Sequence, residues 1–592
     1  MRARCARCGA AALLLSLAAV RMGTAQASAE IRRPDGTRVI AGVLAELERA
    51  EMERSIPRRL GSGLPVERLP DLSHAGALAR GAEAARLRRR LATVRDSGLT
   101  EEERITLRVL RWDLGAAIEE PRHHWLSFAA VTPYSSPMRE VSEAFARASL
   151  RDASDVTRYE RLLALLPAFA DSMRAGLEGR AARGIRLPKA EIPAVAALMR
   201  SYAGPAGESP FVPDAGRLSS LPEPAATAFR ARAAAVVDGK VKPAFERLVA
   251  YLEGSYRERA PATVGQWQYP GGDAYYRFLV RRETTMEITP REVHDIGLRE
   301  VARIDGEMAA IRRELGFTGS GEAFHAKLRA DPRFIAATPE EVRDRLMGHA
   351  ARIMPVLDRW FRRFPRAQGD ARRLDPALEP AMTFGFYGAP TATDSMGHYF
   401  FNGSRLAERS QITAAPLIYH ELLPGHHLQF NLQRENAALP PYRRHAAQTA
   451  FTEGWGEYAS RLAGEMGMYA DPYDRYGRLF MEMFLACRLV VDTGMNALRW
   501  PRDSAIAFMR PRVAESMTQL GTETLRYSVD LPGQALAYKM GSLEIVRLRD
   551  EARAALGARF DVRDFHDVVL GSGSLPLSVL AWKVRRWTRG EA

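Results

Sequence analysis

Apolar residues recur at intervals of three and four along most of the chain. The pattern is clear in GVLAELERAEMER (42–54), ARLRRRLATVRD (85–96), RYERLLALLPAFADSMRAGLEGRAARG (158–184) and AATAFRARAAAVVDGKVKPAFERLVAYLEG (225–254). Such spacing puts one apolar stripe on a helix, so residues 35–250 are expected to form amphipathic helices. Pro-rich breaks such as SYAGPAGESPFVPDAG (201–216) separate them, and no repeat of fixed period is present. Two later helices carry their own start signals. Thr289 can cap, Pro290 suits the first helical position, Glu292 completes a capping box, and Ile288 with Val293 forms a hydrophobic staple. Thr338-Pro339-Glu340-Glu341 repeats the device, so helices are predicted near 290–313 and 339–364. The run Phe480–Asp492 is apolar on every side and reads as a buried helix, with Cys487 as packing.

Two stretches break the helical character. Around 262–285 the Ala/Arg composition gives way to TVGQWQYPGGDAYYRFLVRRETT, which marks the entry to a second half. Residues 379–403, EPAMTFGFYGAPTATDSMGHYFFNG, replace helix formers with aromatics, threonine and glycine and are the best strand candidate. The fold class expected is therefore mainly α, large and two-lobed, with a small β element. An N-terminal helical region would run over 28–260 and a second region over 261–592.

Composition adds three constraints. Residues 1–27 read as a secretory leader: Arg2, Arg4 and Arg7, then the apolar AALLLSLAAV, then Ala25-Gln26-Ala27 as the cleavage site. Cys5 and Cys8 precede the apolar run, so neither sits as a lipoprotein cysteine. Export to the periplasm or the medium follows, and beyond the leader only Cys487 remains, so no intrachain disulfide is available. The formal charge is +14, of which Arg2, Arg4, Arg7 and Arg21 carry four, leaving +10. Acids are interleaved with that excess and no basic stripe carries aromatics, so nucleic acid is not an expected partner. No later segment approaches eighteen uninterrupted apolar residues, so no membrane span is expected. Oligomeric state stays open.

One stretch concentrates chemistry. His420–Gln429 reads HELLPGHHLQ and holds three of the twelve histidines. Zinc takes imidazole nitrogen and carboxylate oxygen, and a helical H-E-x-x-H sets two histidines on one face with the glutamate as general base. Here the i+4 position is Pro424, which cannot ligate. On an unbroken helix His426 would point about 240° from His420, and His427, though in phase, would lie about 10.5 Å along the axis. Pro424 disrupts the helix and Gly425 tolerates almost any backbone angle, so a bulge that brings His426 back into phase is expected. His420 and His426 are the expected ligands, with His427 as the alternative, and Glu421 is the base. A third ligand should come from TAFTEGWGEYASRLA (449–463), where Glu453 follows His426 by 27 residues across a polar, proline-broken connection. Glu457 shares its helical face and could orient a ligand histidine.

The HExxPGHHxQ element followed by EGW-x-x-Y resembles the bacterial domain-of-unknown-function family 885, over about residues 45–585. That family is similar to the helical zinc metallopeptidases of the gluzincin group, and HELLPGH also resembles the HELLGH motif of dipeptidyl peptidase III with a proline added. The resemblance implies His420, His426 and Glu453 as ligands and Glu421 as base. The family often has EGWALYAE where this chain has EGWGEYAS, so Glu457 is not a family position, and Gly456 is expected to loosen its helix. The segment QALAYKMGSLEIVRLR (534–549), after Leu531-Pro532-Gly533, resembles the family's PGQALAYKxG. A downstream tyrosine often stabilises the oxyanion in related enzymes, which makes Tyr538 the candidate, ahead of Tyr527 and Lys539. Asn496 stands where the family frequently has histidine and receives no role; His566 falls in a segment that resembles the family end. An edge strand beside the cleft, as in related peptidases, would put His398, Tyr399 and Asn402 against an extended peptide.

The expected function is an exported zinc metallopeptidase of metallopeptidase-like two-lobed fold, acting on oligopeptides with one Zn2+ per chain. Two rivals share these residues: an envelope protein that binds peptides without cleaving them, and a metal-dependent hydrolase of another amide.

Overall fold

The helical periodicity of the first 250 residues is realised as a succession of packed helices. The structure, a computed structural model, describes residues 35–376, 379, 385–391 and 394–591; the leader expected over 1–27 lies outside them, as do parts of the 379–403 segment. The protein is 68% helical with a single three-stranded sheet among the described residues, which makes it mainly α.

Helices α1 (Asp35–Arg54), α2 (His74–Ala92) and α3 (Glu101–Glu119) open the chain. Val43, Leu87, Leu91, Leu107 and Leu110 fill the space between them. The next helices, among them α4 (Leu166–Ala181) and α5 (Lys242–Tyr251), enclose a larger core around Phe145, Met173, Phe211, Phe229 and Phe245. That core extends to Tyr275, Phe278 and Leu279 of α6 (Gly272–Thr284). The other face of α6, Tyr276 and Val280, packs with Leu489 and Leu536. Helix α6 thus belongs to both halves of the molecule. So does α3, whose Ile105 and Val109 join the C-terminal core and whose Glu102 receives Arg443 and Ser572. The two halves share these helices.

Helix α7 (Pro290–Glu314) starts as its sequence dictates: the Thr289 side chain accepts from Glu292 N, and Glu292 accepts from Thr289 N. Helix α8 (Pro339–Ile353) departs from expectation at both ends. Thr338 caps it at 3.2 Å, but Glu341 turns to Ala337 N instead of Thr338 N. It stops at Ile353, and residues 354–359 wind more tightly, because Pro355 has no N–H to continue the α ladder.

The sheet comprises β1 (Gly369–Arg373), β2 (Phe386–Gly388) and β3 (Gly397–Phe401), in the order β1-β3-β2. Strand β3 runs parallel to β1 (Ala371 opposite Tyr399) and antiparallel to β2 (Tyr387 opposite Tyr399). The strand expected at an edge is therefore central. Its backbone is paired on both sides and cannot take up a peptide.

Beyond the sheet come α9 (Ala414–Glu421) and α10 (His426–Glu435), then α11 (Thr449–Glu465), α12 (Pro472–Ala497), α13 (Met517–Leu525), α14 (Leu536–Leu556) and α15 (Leu577–Thr588). Helix α12 is the buried helix its apolar sequence predicts, and burial pushes its Cys487 thiol up to about 12. The most extensive helix contacts are α7 with α12 and α11 with α14. The second pair meets at glycine: a Cβ on Gly541 would lie 1.9 Å from Ala450 O, and one on Gly454 2.5 Å from the Gly541 backbone. No helix among the described residues is long and apolar enough to cross a membrane.

Gly541→Ala should cost about 2 kcal/mol or more, because the new methyl meets a backbone carbonyl and forces the helices apart. Gly306→Ala on α7, where a Cβ meets nothing within 4 Å, should gain about 0.5 kcal/mol. Urea midpoints of the two variants against the parent check the pair.

Candidate metal centre

The local sequence breaks a helix between the histidines. Helix α9 ends on His420-Glu421; the backbone leaves the helical region at Leu422 (φ −102°, ψ −108°) and again at Gly425 (φ −81°, ψ −129°), and α10 starts at His426. The expected bulge is thus a complete break. At Gly425 a Cβ would lie 1.8 Å from His420 O, so only glycine lets the chain fold back this tightly. Trp455 of α11, fully buried, donates Nε1–H to Pro424 O at 3.0 Å and pins the turn against α11.

The break turns His426 back toward His420. Their ring centroids are 4.6 Å apart and nearly perpendicular, and one donor atom each from His420, Glu421 and His426 fall within 4.8 Å of one another. Glu453 of α11 reaches the same point: its Oε2 is 3.5 Å from His420 Nε2 and 3.4 Å from His426 Nε2. Two ligand triads are therefore geometrically available, differing in which glutamate joins the histidines. The Glu453 triad is favoured, because 3.4–3.5 Å is close to the edge, about 3.3 Å, of a tetrahedron built on zinc bonds of about 2.0–2.1 Å. Glu421 also has Oε2 buried with no protein partner. Two imidazole nitrogens and a carboxylate oxygen suit zinc among the divalent ions.

Gly456 lies one turn beyond Glu453, and a Cβ there would be 2.7 Å from His420 Nε2. The bare helix surface admits the imidazole, while α11 stays unbroken over 17 residues. Its glycine seats the ring instead of loosening the helix.

The charged groups of the cluster act on one another. Burial pushes Glu421 up from the ordinary carboxylate range, with the two histidines opposing and Glu453 adding to it. Burial would raise Glu453 too, but the hydrogen bonds and charges of both histidines hold it far below that range. His426 is depressed by burial and raised more by Glu453 and Glu421, so its proton is retained above the usual pH.

Tyr538, on α14 one turn before Gly541, stands beside this group. Its ring lies 6.4 Å from that of His420 at 22°, and burial, reinforced by Glu453, pushes its phenol up. A cavity of about 370 Å³ opens over the cluster, lined in part by Phe386, Tyr387, Phe430, Phe484 and Tyr538.

Several expected residues lie elsewhere. His427, the alternative ligand, has Nδ1 against Tyr387 OH (3.0 Å) and Nε2 against Ala367 O (2.9 Å), so both nitrogens are engaged away from the cluster. His398 is clamped between Asp370 and Asp394, Tyr399 is buried beneath the sheet, and Asn402 binds Glu379 O. None of the three lines the cavity. The β residues that do are Gly385, Phe386 and Tyr387, at the edge strand β2. Glu457 does not touch the histidines; it pairs with Arg478 at 2.7 Å, in a buried chain that continues through Glu482 to Lys539. That pairing engages Lys539 away from the cavity. Tyr527 is bound to Glu523 and Arg488. His566 bridges Tyr458 OH and Trp360 O, both at 2.8 Å, and burial depresses it to about 3, so it is structural. Sequence reasoning missed Arg488 and Arg526, which also reach the cavity; an arginine inside the apolar run 480–492 was the available signal.

These features describe a helical protein with a largely buried two-histidine, two-glutamate cluster at the foot of a largely apolar cavity. The chain belongs to the bacterial proteins of unknown function grouped as DUF885, whose family model matches residues 58–584. A solved structure from Colwellia psychrerythraea, provisionally described as a lipoprotein, is 27% identical with a TM-score of 0.86, covering 94% of this chain and 99% of that one. A second, from Shewanella oneidensis, is described in the same provisional way and as of unknown function. It is 16% identical with a TM-score of 0.70 over 93% of this chain and 99% of that one, and shows the fold alone. No curated protein matches the chain.

Metal analysis of the purified protein should find about one zinc per chain. His420→Ala and His426→Ala should lose it, and His427→Ala should keep it. Retention in His426→Ala with loss in His427→Ala would overturn the assignment.

Proposed function

We propose that the protein is an exported zinc-dependent peptidase acting on short peptides. The observation that carries this reading is the cluster itself: Glu453 Oε2 at 3.4–3.5 Å from two imidazole nitrogens, with an unpartnered oxygen of Glu421 beside them. Mere binding of peptides gives no reason to bury a second, unpaired carboxylate there. The family membership and the fold of the relatives are compatible with this reading and carry no activity of their own. Export is supported by the leader-like residues 1–27 and by the relative described as a lipoprotein.

His420, His426 and Glu453 would hold the ion. Zinc there would supply a Lewis acid and a nucleophile derived from water at neutral pH. The chain's own groups do the rest. Glu421, adjacent to the cluster and raised by burial, accepts the proton that water releases as it adds to the scissile carbonyl. It then returns that proton to the departing amine. Tyr538 keeps its phenolic proton, because burial raises it, and donates to the oxygen on which negative charge develops. Phe386, Phe430 and Phe484 make the walls apolar. A cavity of about 370 Å³ fits a few residues of an extended peptide better than a folded protein.

Glu421→Gln should retain zinc and lower kcat on a peptide library by about 10²–10⁴-fold. Tyr538→Phe should lower kcat by about 10²–10³-fold with little change in KM. Zinc-loaded protein that cleaves no peptide but hydrolyses other amides would move the reading to that substrate class. Inactivity on all amides, with peptides still bound, would favour a binding protein.

A further inference from the structure

The cavity runs from the cluster to a second group of charges that the hydrolysis above does not use. Arg488 of α12 and Arg526, just after α13, both line it. Between them lies a single, fully buried carboxylate: Arg488 Nη2 donates to Glu523 Oε2 at 3.1 Å and Arg526 Nη1 to Glu523 Oε1 at 3.4 Å. Arg488 Nε also donates to Tyr527 OH (2.8 Å), and Arg526 Nη2 to Gln534 Oε1 (2.9 Å). Arg526 Nε is buried with no protein partner. Glu515, the other acid on this wall, is pushed up by burial to about 7, with Glu523 adding to the effect, so it is a partial counter-charge at best. Two guanidiniums therefore share one full negative charge in a largely apolar cavity. A buried cation without its own counter-ion is costly, and guanidinium is the side chain best matched to a carboxylate.

Distance makes the cation useful. The Tyr538 ring lies 6.4 Å from the His420 ring and 5.0 Å from the Arg488 guanidinium carbon. The guanidinium carbon is therefore at most about 11 Å from that imidazole. A zinc bond of about 2 Å and the reach of about 4 Å from a guanidinium carbon to a bound carboxylate take up part of it, and one or two extended residues cover the rest at about 3.3–3.6 Å each.

We propose that Arg488 and Arg526 bind the free C-terminal carboxylate of the peptide, so that the protein trims one or two residues from the C-terminus. This rests on the peptidase reading for the cleavage and on the arginine pair alone for the binding. The reaction is hydrolysis: water's hydroxyl joins the scissile carbonyl carbon, the C–N bond breaks, and the remaining hydrogen goes to the amine. The products are a shortened peptide acid and a free amino acid or dipeptide.

The test uses Glu421→Gln protein, loaded with zinc, titrated calorimetrically with three forms of one tetrapeptide. These are the free acid, the C-terminal amide, and an amide whose last residue is glutamate. The free acid should bind about tenfold or more tighter than either amide. Arg526→Gln in the same background should remove the preference and Arg526→Lys should keep part of it; should either fail to fold, the acid-to-amide ratio still decides. Mass spectrometry of wild-type digests should show one or two residues lost from the acid only. Equal binding of acid and plain amide overturns the proposal, and so does a glutamyl amide that binds as well as the acid. A binding preference without cleavage in wild type would confirm the carboxylate site and sink the peptidase reading. Internal cleavage of amides would do the reverse.

Discussion

The site depends on how closely helix α11 is approached from two sides. Gly454 faces α14, where it meets Gly541 backbone to backbone, and Gly456 faces the imidazole of His420. Neither side has room for a methyl group. Glu453 sits between these two contacts, so its carboxylate is placed by backbone packing and not by the flexibility of its own side chain. The same contact fixes Tyr538, one turn from Gly541, beside the His420 ring. One helix–helix interface thereby fixes both Glu453 and Tyr538, the residues proposed as ligand and oxyanion donor.

Around that interface the polar groups separate into two sets with different tasks. Glu457, Arg478, Glu482 and Lys539 neutralise one another below α11, away from the cavity. Burying such a set is tolerable only because every charge has an opposite neighbour. At the cavity floor Glu421 keeps an unsatisfied oxygen, and both imidazoles leave Nδ1 without a protein partner. The two sets, a few residues apart on α11, differ in where they face: the first lies among packed helices, the second lines the cavity.

Much of this was legible in the sequence where the determinant is local. The capping box at Thr289 and the buried helix around Cys487 depend on residues within a few positions of one another and are found as read. The His420–Gln429 motif, equally local, brings His420 and His426 together. That Pro424-Gly425 disturbs the helix was also readable, but not that α9 and α10 separate completely. That outcome depends on Trp455, 31 positions on, holding the Pro424 carbonyl. The misplaced residues have one common cause. His398, Tyr399 and Asn402 were placed by supposing their strand to lie at an edge, and the partner that makes it central, Gly369–Arg373, carries no strand signature of its own. Arg488 was passed over for a similar reason, since a charge within an apolar run shows its purpose only when Glu523 and the cavity come into contact with it.

The lone thiol has a consequence for the life of the chain. Over the described residues Cys487 is the only cysteine, buried in the middle of α12, and no covalent cross-link contributes to any of the cores. The fold is therefore held by packing and by charge pairs that are indifferent to the local thiol–disulfide potential. It can form in a reducing cytosol as readily as in an oxidising envelope. A chain destined for export gains no protection against early folding from its chemistry, and must be kept open by the speed of its handling.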